Sequence, residues 1–325
     1  VVFLIFIYGM ALWFIFSPKP DYSSSEKRYL QKFPEVTAEK LLSGDFGSEF
    51  ETFFADRFPQ RNTWVGLNAY TALAEGNNGA SGVYNCKNGY LINKPVSTEN
   101  NLDKNIGAVA DFAKSIDTPT TVMLVPSTGY IVDDVLPTFH DKYNDDEDIS
   151  KISSTLSKDK IGFVDLRERF KSEYKNGSQL YYKTDHHWTT KGAYTGYQEL
   201  CKALGITPID DSTLKKDSYP DFYGTTYSSS GFWLTPPDNI EIWNNPKNSD
   251  RNISVKITEG ANIKTSGSMY FTDHLKEDDK YPVFIDGNHA LTEITNTNAK
   301  NGTIFLIKDS FSHSLAPFLA ENYSK

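Results

Sequence analysis

Residues 303–314 read Thr-Ile-Phe-Leu-Ile-Lys-Asp-Ser-Phe-Ser-His-Ser, an apolar run that passes directly into a polar turn. Residues 303–307 predict a buried strand, and residues 315–322 predict a helix after the turn. Ser310, at this strand-to-helix turn, is expected at the carboxyl edge of a sheet. There a helix N-terminus and free backbone N–H groups stabilise an oxyanion. The stretch favours an α/β protein, with Ser310 either a nucleophile or a simple helix cap.

The rest of the chain alternates short strands with helices in the same way. Strands are predicted at 120–125, 161–166 and 283–285, and helices at 101–115, 149–156 and 190–204, the last capped by Thr189 or Thr190. A hairpin is predicted between residues 83 and 92. Alternation of this kind predicts a mostly parallel sheet covered by helices.

The beginning of the chain predicts where the protein lies. Residues 1–16 carry no charge, which is compatible with an uncleaved signal-anchor, a cleaved signal peptide or a buried core helix. No small-x-small cleavage site follows, and the chain begins with Val. We therefore expect a transmembrane signal-anchor completed by upstream residues, with the main domain outside the cytoplasm. A Pro/Ser linker (17–26), a helical arm (27–75) and a main domain (76–325) with a β-rich insertion at about 210–265 are predicted to follow.

Composition excludes several classes of protein. The chain has 325 residues and a net charge of −9, from 33 Lys and Arg against 42 Asp and Glu. This acidic balance argues against a general nucleic-acid binder. The two cysteines, Cys86 and Cys201, exclude a disulfide framework and a four-thiolate zinc site, although they allow one bridge.

A second stretch, residues 182–188 (Tyr-Lys-Thr-Asp-His-His-Trp), carries groups suited to proton transfer. In extended backbone, Asp185 and His187 share one face while His186 faces away. A carboxylate beside an imidazole fixes its tautomer and stabilises the imidazolium, as a general base requires. Alternatively, Asp185 only caps a helix, or the trio binds a metal. With Ser310, the stretch makes a candidate triad in the order Asp, His, Ser, for which no metal and no cofactor is expected.

The Asp185-His186-His187-Trp188 string resembles the signature of the bacterial DHHW family, which is related to the acetyltransferases of alginate O-acetylation. An ordered series of further matches extends over most of the chain: 26–30, Phe33-Pro34, 53–61, 82–84, 88–91, 221–225, 287–289, 308–311 and 317–319. The resemblance implies an SGNH (GDSL-type) esterase-like three-layer α/β/α fold in permuted order. It also implies that Asp185, His187 and Ser310 match the catalytic Asp, His and Ser of that family.

The resemblance implies a serine acyltransferase or esterase of the cell envelope, acting on O-acetyl groups of an exported polysaccharide. The predicted oxyanion donors are the backbone N–H of Ser310 or Phe311 and the side chain of Asn288, although Asn288 also fits an ordinary turn. The partners expected are the polysaccharide, a membrane-bound acyl donor and the membrane itself. Aromatic residues of 219–234, including Phe222 and Phe232, are candidates for stacking on sugars, although half of them are expected to pack within the protein instead. The alternatives are a non-catalytic envelope protein that binds glycan or a partner, and a metal-dependent hydrolase.

Two positions depart from the related families. Lys308 stands where GDSL enzymes have Gly, and Cys86 stands where a small residue is more usual. The chain also ends at Lys325, soon after the helix that follows Ser310, so a truncated C-terminus is expected.

Overall fold

The computed structural model describes residues 1–23, 26–96, 101–159, 161–248 and 251–325. Residues 24–25 of the predicted linker and 249–250 of the predicted insertion lie outside the described residues. The helices are α1 Val2–Phe16, α2 Ala38–Ser43, α3 Asp45–Asp56, α4 Arg61–Ala74, α5 Leu102–Ser115, α6 Thr128–Ile131, α7 Asp145–Lys158, α8 Arg167–Lys175, α9 Thr190–Leu204, α10 Thr225–Ser230 and α11 Ser312–Leu319. Short 3₁₀ turns are Lys87–Gly89, Asp133–Val135, Asp211–Thr213, Thr272–Lys276 and Tyr281–Val283.

The strands are short. They are β1 Tyr22–Ser23, β2 Arg28–Tyr29, β3 Gly79–Ala80, β4 Val83–Asn85, β5 Leu91–Asn93, β6 Thr121–Leu124, β7 Gly162–Asp165, β8 Lys215–Phe222, β9 Asp238–Asn244, β10 Ile253–Glu259, β11 Asn262–Ser266 and β12 Leu291–Asn296. Antiparallel pairing joins β1 to β2, β4 to β3 and β5, β8 to β9, and β10 to β11 and β12. Strands β6 and β7 pair in parallel.

The predicted three-layer α/β/α fold with a mostly parallel sheet is wrong. Across the described ranges β6–β7 is the one parallel pair of strands, and the other sheets are antiparallel with two or three strands each. Most of the predicted elements form, including β6, β7 and α9 with its Thr189 N-cap. The error concerns which strands pair. An apolar segment specifies a strand locally, whereas the direction and identity of its neighbour depend on distant residues.

Two predicted strands do not form as ladders. Residues 303–307 belong to no strand, and Phe305 and Ile307 are 77% and 69% exposed. The apolar composition of residues 303–307 predicted that their side chains are buried, but those of Phe305 and Ile307 are exposed to solvent. Residues 283–285 form only an isolated antiparallel bridge, Phe284 with Tyr270, and Val283 already belongs to the turn Tyr281–Val283. Ile285 then has a φ of 49°, which ends any extended run.

The predicted transmembrane helix is also wrong. No helix in the described part of the chain is both long and apolar enough to cross a membrane. Helix α1 has 15 residues.

Helices α3 and α4 connect to other segments of the chain through specific contacts. The Arg28 guanidinium donates to both carboxylate oxygens of Asp56 at the end of α3, at 2.9 and 2.5 Å. In α4, a Cβ on Gly66 would lie 2.1 Å from the ring of Trp233. Only a glycine therefore allows this close approach of the helix to the indole.

Helix α9 forms the centre of the main core, and α11 packs against it. Tyr194 and Tyr197 of α9 lie 5.4 and 5.6 Å from the ring of Phe318 in α11, measured between centroids. Trp188, which precedes α9, is fully buried in the same cluster. The residues just before both helices are thereby brought together, and they include Asp185, His187 and Ser310.

Candidate active site

Ser310 lies in the turn before α11, and the side chain of Asp309 shapes this turn. The Phe311 N–H donates to the Asp309 carboxylate at 3.0 Å, and the Ser312 N–H donates to the Asp309 carbonyl at 3.3 Å. The Ser310 N–H has no hydrogen-bond partner within the described ranges. Of the two backbone donors predicted for an oxyanion, Phe311 is thus already paired and Ser310 is free.

The structure brings Asp185, His187 and Ser310 into one hydrogen-bonded chain. The Nδ1 atom of His187 lies 2.5 Å from Oδ1 of Asp185, and Nε2 lies 2.7 Å from Oγ of Ser310. An ionised carboxylate only accepts hydrogen bonds, so Nδ1 carries the proton and the Nε2 lone pair accepts from the serine hydroxyl. This is the tautomer that a base for Ser310 requires.

The environment of Asp185 keeps its carboxyl ionised. Burial alone favours the neutral acid, but the hydrogen bond and charge of His187 outweigh it and hold the pKa of Asp185 well below its usual range. Its Oδ1 atom also accepts a hydrogen bond from the backbone N–H of His187 at 2.8 Å, and its Oδ2 atom accepts one from the backbone N–H of Thr225 at 2.7 Å. The carboxylate is therefore fixed by two backbone donors as well as by the imidazole.

His186 does not face away from the site as predicted. Its ring lies 3.8 Å from that of His187 between centroids, and its Nδ1 contacts Oγ1 of Thr225 at 2.5 Å. Residues 183–187 form bends rather than a strand, so the alternation of an extended backbone does not apply. Burial lowers the pKa of His186, which keeps this second imidazole neutral beside the first.

Side chains of Asp238 and Trp188 hold the site together by bonding to backbone groups of other segments. The buried carboxylate of Asp238 accepts the backbone N–H groups of Lys183 and Thr184 at 2.9 and 2.8 Å, and the Thr184 hydroxyl at 2.7 Å. The Trp188 indole N–H donates to the Phe311 carbonyl at 2.8 Å. Asp238 lies in a Pro-rich segment and belongs to no recognisable motif, whereas Trp188 is the last residue of the Asp185-His186-His187-Trp188 string.

The predicted oxyanion side chain, Asn288, lies beside α11. Its Oδ1 contacts Nε2 of His313 at 3.0 Å. His313 is buried, and desolvation lowers its pKa to about 3, so its ring is neutral and its Nε2–H donates to the amide oxygen. This leaves the Asn288 NH₂ group as the end available for a ligand.

The aromatic residues predicted to bind sugars divide by burial. Phe222 and Phe232 are fully buried and belong to the core, so the stacking prediction is wrong for these two residues. The rings of Tyr223 and Tyr227 contact each other, with centroids 4.2 Å apart and planes inclined by 36°.

Asp185, His186 and His187 form the kind of cluster that holds a metal, because one ligand atom from each lies within 4.8 Å of the others. His187 already uses Nδ1 for Asp185 and Nε2 for Ser310. A metal bound to either nitrogen would break one of these hydrogen bonds. The geometry therefore suits proton transfer along the chain rather than metal ligation.

Residues 92–220 match the family described as the SGNH hydrolase-like domain of acetyltransferase AlgX. The resemblance to this group of proteins is confirmed. The AlgX-type match contains Asp185 and His187, whereas Ser310 lies outside it. No curated protein matches the chain in sequence.

Solved structures resemble about three quarters of the chain in fold. A DHHW family protein from Eubacterium siraeum has a TM-score of 0.60 and 19% identity, covering 75% of this chain and 81% of that chain. Bacillus cereus PatB1 with a sulfonyl adduct also has a TM-score of 0.60 and 19% identity, covering 73% of this chain and 82% of its own. PatB1 without the adduct has a TM-score of 0.59 and 19% identity, with coverages of 73% and 83%. Because the sequence identities are this low, the likeness to these structures shows a shared fold alone.

Proposed function

We propose that this chain is a serine-dependent O-acetyltransferase or acetylesterase that acts on O-acetyl groups of a polysaccharide. The observation that carries the proposal is the hydrogen-bonded order Asp185–His187–Ser310, with the serine oxygen 2.7 Å from the imidazole nitrogen. The match to an acetyltransferase domain supports acetyl as the group transferred. An exported polysaccharide, a membrane-bound acyl donor and a location outside the cytoplasm stay predictions.

The proposed reaction has two steps at Ser310. His187 takes the hydroxyl proton at Nε2 while Oγ attacks the acetyl carbonyl, and the resulting imidazolium is stabilised by the Asp185 carboxylate. The free Ser310 N–H and the Asn288 NH₂ group are the proposed donors to the tetrahedral oxyanion. Collapse of this intermediate releases the donor alcohol, which receives the proton from His187, and leaves an acetyl ester on Ser310. A sugar hydroxyl or water then attacks this ester while His187 takes its proton; the bond between the acetyl carbon and Oγ breaks, and His187 returns the proton to Ser310.

The test is a Ser310→Ala substitution, with Ser312→Ala as the matched control. Ser312 lies two residues away in the first turn of α11. Hydrolysis of an aryl acetate should fall about 10³-fold or more in Ser310→Ala and stay near the wild-type rate in Ser312→Ala. Acetyl transfer to added oligosaccharides, measured by mass spectrometry, distinguishes a transferase from an esterase. Turnover at the uncatalysed background rate in wild type as well as in Ser310→Ala, with glycan binding intact in both, would favour a non-catalytic binding protein instead.

A further inference from the structure

One aromatic ring covers a face of the proposed base. The Tyr281 ring is stacked on the His187 ring with centroids 3.9 Å apart and planes inclined by 10°. Phe311 meets the same imidazole edge-on, at 4.9 Å and 60°. Tyr281, Phe311 and the neighbouring His186 thus surround His187 and leave its two nitrogens to Asp185 and Ser310.

The hydroxyl of Tyr281 contacts the backbone of the proposed nucleophile, Ser310. It donates a hydrogen bond to the Ser310 carbonyl at 3.1 Å. Burial raises the pKa of Tyr281 well above its usual value, so the phenol stays neutral and remains a donor. One side chain therefore contacts both the imidazole and the backbone of the serine, which lie 123 residues apart in sequence.

The position of Tyr281 is itself fixed by packing. It begins the turn Tyr281–Val283 and is 6% exposed. It belongs to a cluster with Tyr182, Phe222 and Phe284, and its ring lies 5.5 Å from that of Phe284. A ring held this firmly restricts rotation of the imidazole stacked on it.

The stacked geometry has an electrostatic consequence during the reaction. His187 is neutral before proton transfer and positively charged afterwards, when it has accepted the Ser310 proton. The face of an aromatic ring carries negative quadrupole density and attracts a cation, most strongly where water is excluded. The attraction between Tyr281 and His187 is therefore stronger in the transition state than in the ground state, which raises kcat rather than lowering KM.

We propose that Tyr281 is a positioning residue for the reaction: its ring orients His187 and stabilises the imidazolium, and its hydroxyl holds the Ser310 carbonyl. This inference rests on the proposed function, since it requires that His187 accept a proton from Ser310.

The test compares Tyr281→Leu with Tyr281→Phe, and uses Tyr270→Leu as the matched control. Tyr270 belongs to the same cluster, contacts Phe284 at 6.2 Å and donates to the Trp243 carbonyl at 2.7 Å, and its ring is held by contacts other than His187. With an aryl acetate, Tyr281→Leu should lower kcat about 3- to 30-fold while KM changes less than about twofold. Tyr281→Phe, which keeps the ring face, should recover most of the kcat that Tyr281→Leu loses.

Three results would overturn the inference. They are an unchanged kcat in Tyr281→Leu, an equal loss of kcat in Tyr270→Leu, and a loss in Tyr281→Phe as large as in Tyr281→Leu. Tyr281→Met, which fills similar volume without a π face, replaces Tyr281→Leu if the latter does not fold. Ser310→Ala is measured alongside. If wild-type turnover does not depend on Ser310, the proposed function fails. If it does and Tyr281→Leu matches wild type, only this inference fails.

Discussion

Gly224 shows how closely the side chains of the proposed active site approach the backbone around them. A Cβ at this position would lie 2.1 Å from Cβ and 2.2 Å from Oδ2 of Asp185. The backbone φ of Gly224 is −94°, which any residue adopts, so the glycine is required by the contact and not by its own conformation. The proximity also lets the next residue, Thr225, donate its N–H to Asp185.

Gly224→Ala should therefore reduce catalytic turnover more strongly than it reduces the free energy of unfolding. The added methyl group must displace the Asp185 carboxylate, which weakens its hydrogen bond to His187 and misaligns the base. We expect aryl acetate turnover to fall about 10-fold or more, since misplacements on the order of 1 Å cost up to about 100-fold. Gly107→Ala is the control, because Gly107 lies in α5 with nothing within 4 Å of its added Cβ. A turnover in Gly224→Ala equal to that of Gly107→Ala would contradict the prediction.

His313 should make stability depend on pH. Its pKa is lowered from about 6.5 to about 3 by desolvation, with smaller contributions from Lys308, His187 and His289. Between these values the unfolded chain binds a proton that the folded protein does not, so stability falls as pH drops below about 6.5 and this loss is complete near pH 3. The free energy of unfolding of His313→Gln, measured with urea, should depend less on pH across this window. His140→Gln, at an exposed loop position, serves as the control, and parallel curves for wild type and His313→Gln would contradict the prediction.

The elements around the proposed active site are joined by side chains that bond to backbone groups of another segment. Asp238, the first residue of β9, accepts from the backbone of Lys183 and Thr184, and Trp188 donates to the Phe311 carbonyl. Among the described residues, those just before α11 belong to no strand, and those before α9 form only a single antiparallel bridge, between Tyr181 and Trp188. These side-chain bonds take over the role that strand pairing has in a regular sheet edge.

Asp238→Asn tests this role. The substitution replaces one acceptor oxygen by an NH₂ group that faces N–H donors, which leaves buried polar groups unpaired. We expect a loss of about 1–3 kcal/mol in the free energy of unfolding, together with lower turnover. Asp273→Asn is the control, because the Asp273 side chain is 92% exposed. Urea denaturation and aryl acetate hydrolysis measure the two effects, and equal stability of the two variants would contradict the expectation.

At the scale of the whole molecule, the chain is stabilised without a disulfide. Cys86 and Cys201 are both free, and both are buried in the main core. Burial raises the pKa of Cys86 to about 12 and that of Cys201 to about 11, so both thiols stay protonated at neutral pH. The sequence allowed one bridge, and the structure does not form it.

Thiol titration measures this directly. The native protein should react slowly with an aromatic disulfide reagent, because the thiolate is the nucleophile and both thiols are buried and protonated. In denaturant without reductant, both thiols should react at once. Reductant should leave the thermal unfolding midpoint unchanged. A denatured protein that shows no reactive thiol until it is reduced would contradict the assignment.

Local sequence patterns identified the structural features that are formed by residues close together in the chain. The i, i+2 spacing of Asp185 and His187, the polar turn at Ser310 and the Thr189 cap of α9 were all readable in this way, because each depends on backbone geometry over one turn or one strand. The DHHW string and its ordered companions indicated the relationship to acetyltransferase domains, which the AlgX-type match confirms.

Tertiary structure decided which of these local pieces meet. The mostly parallel sheet was wrong, and residues 303–307 remain outside any ladder, because strand pairing is selected among segments far apart in sequence. The same is true of the groups around the proposed base: Asp238 and Tyr281 carry no local motif, and they reach the segment of Asp185 and His187 only after the chain has packed. Close packing selects such long-range contacts through the shape of the whole core, which no short window of sequence contains.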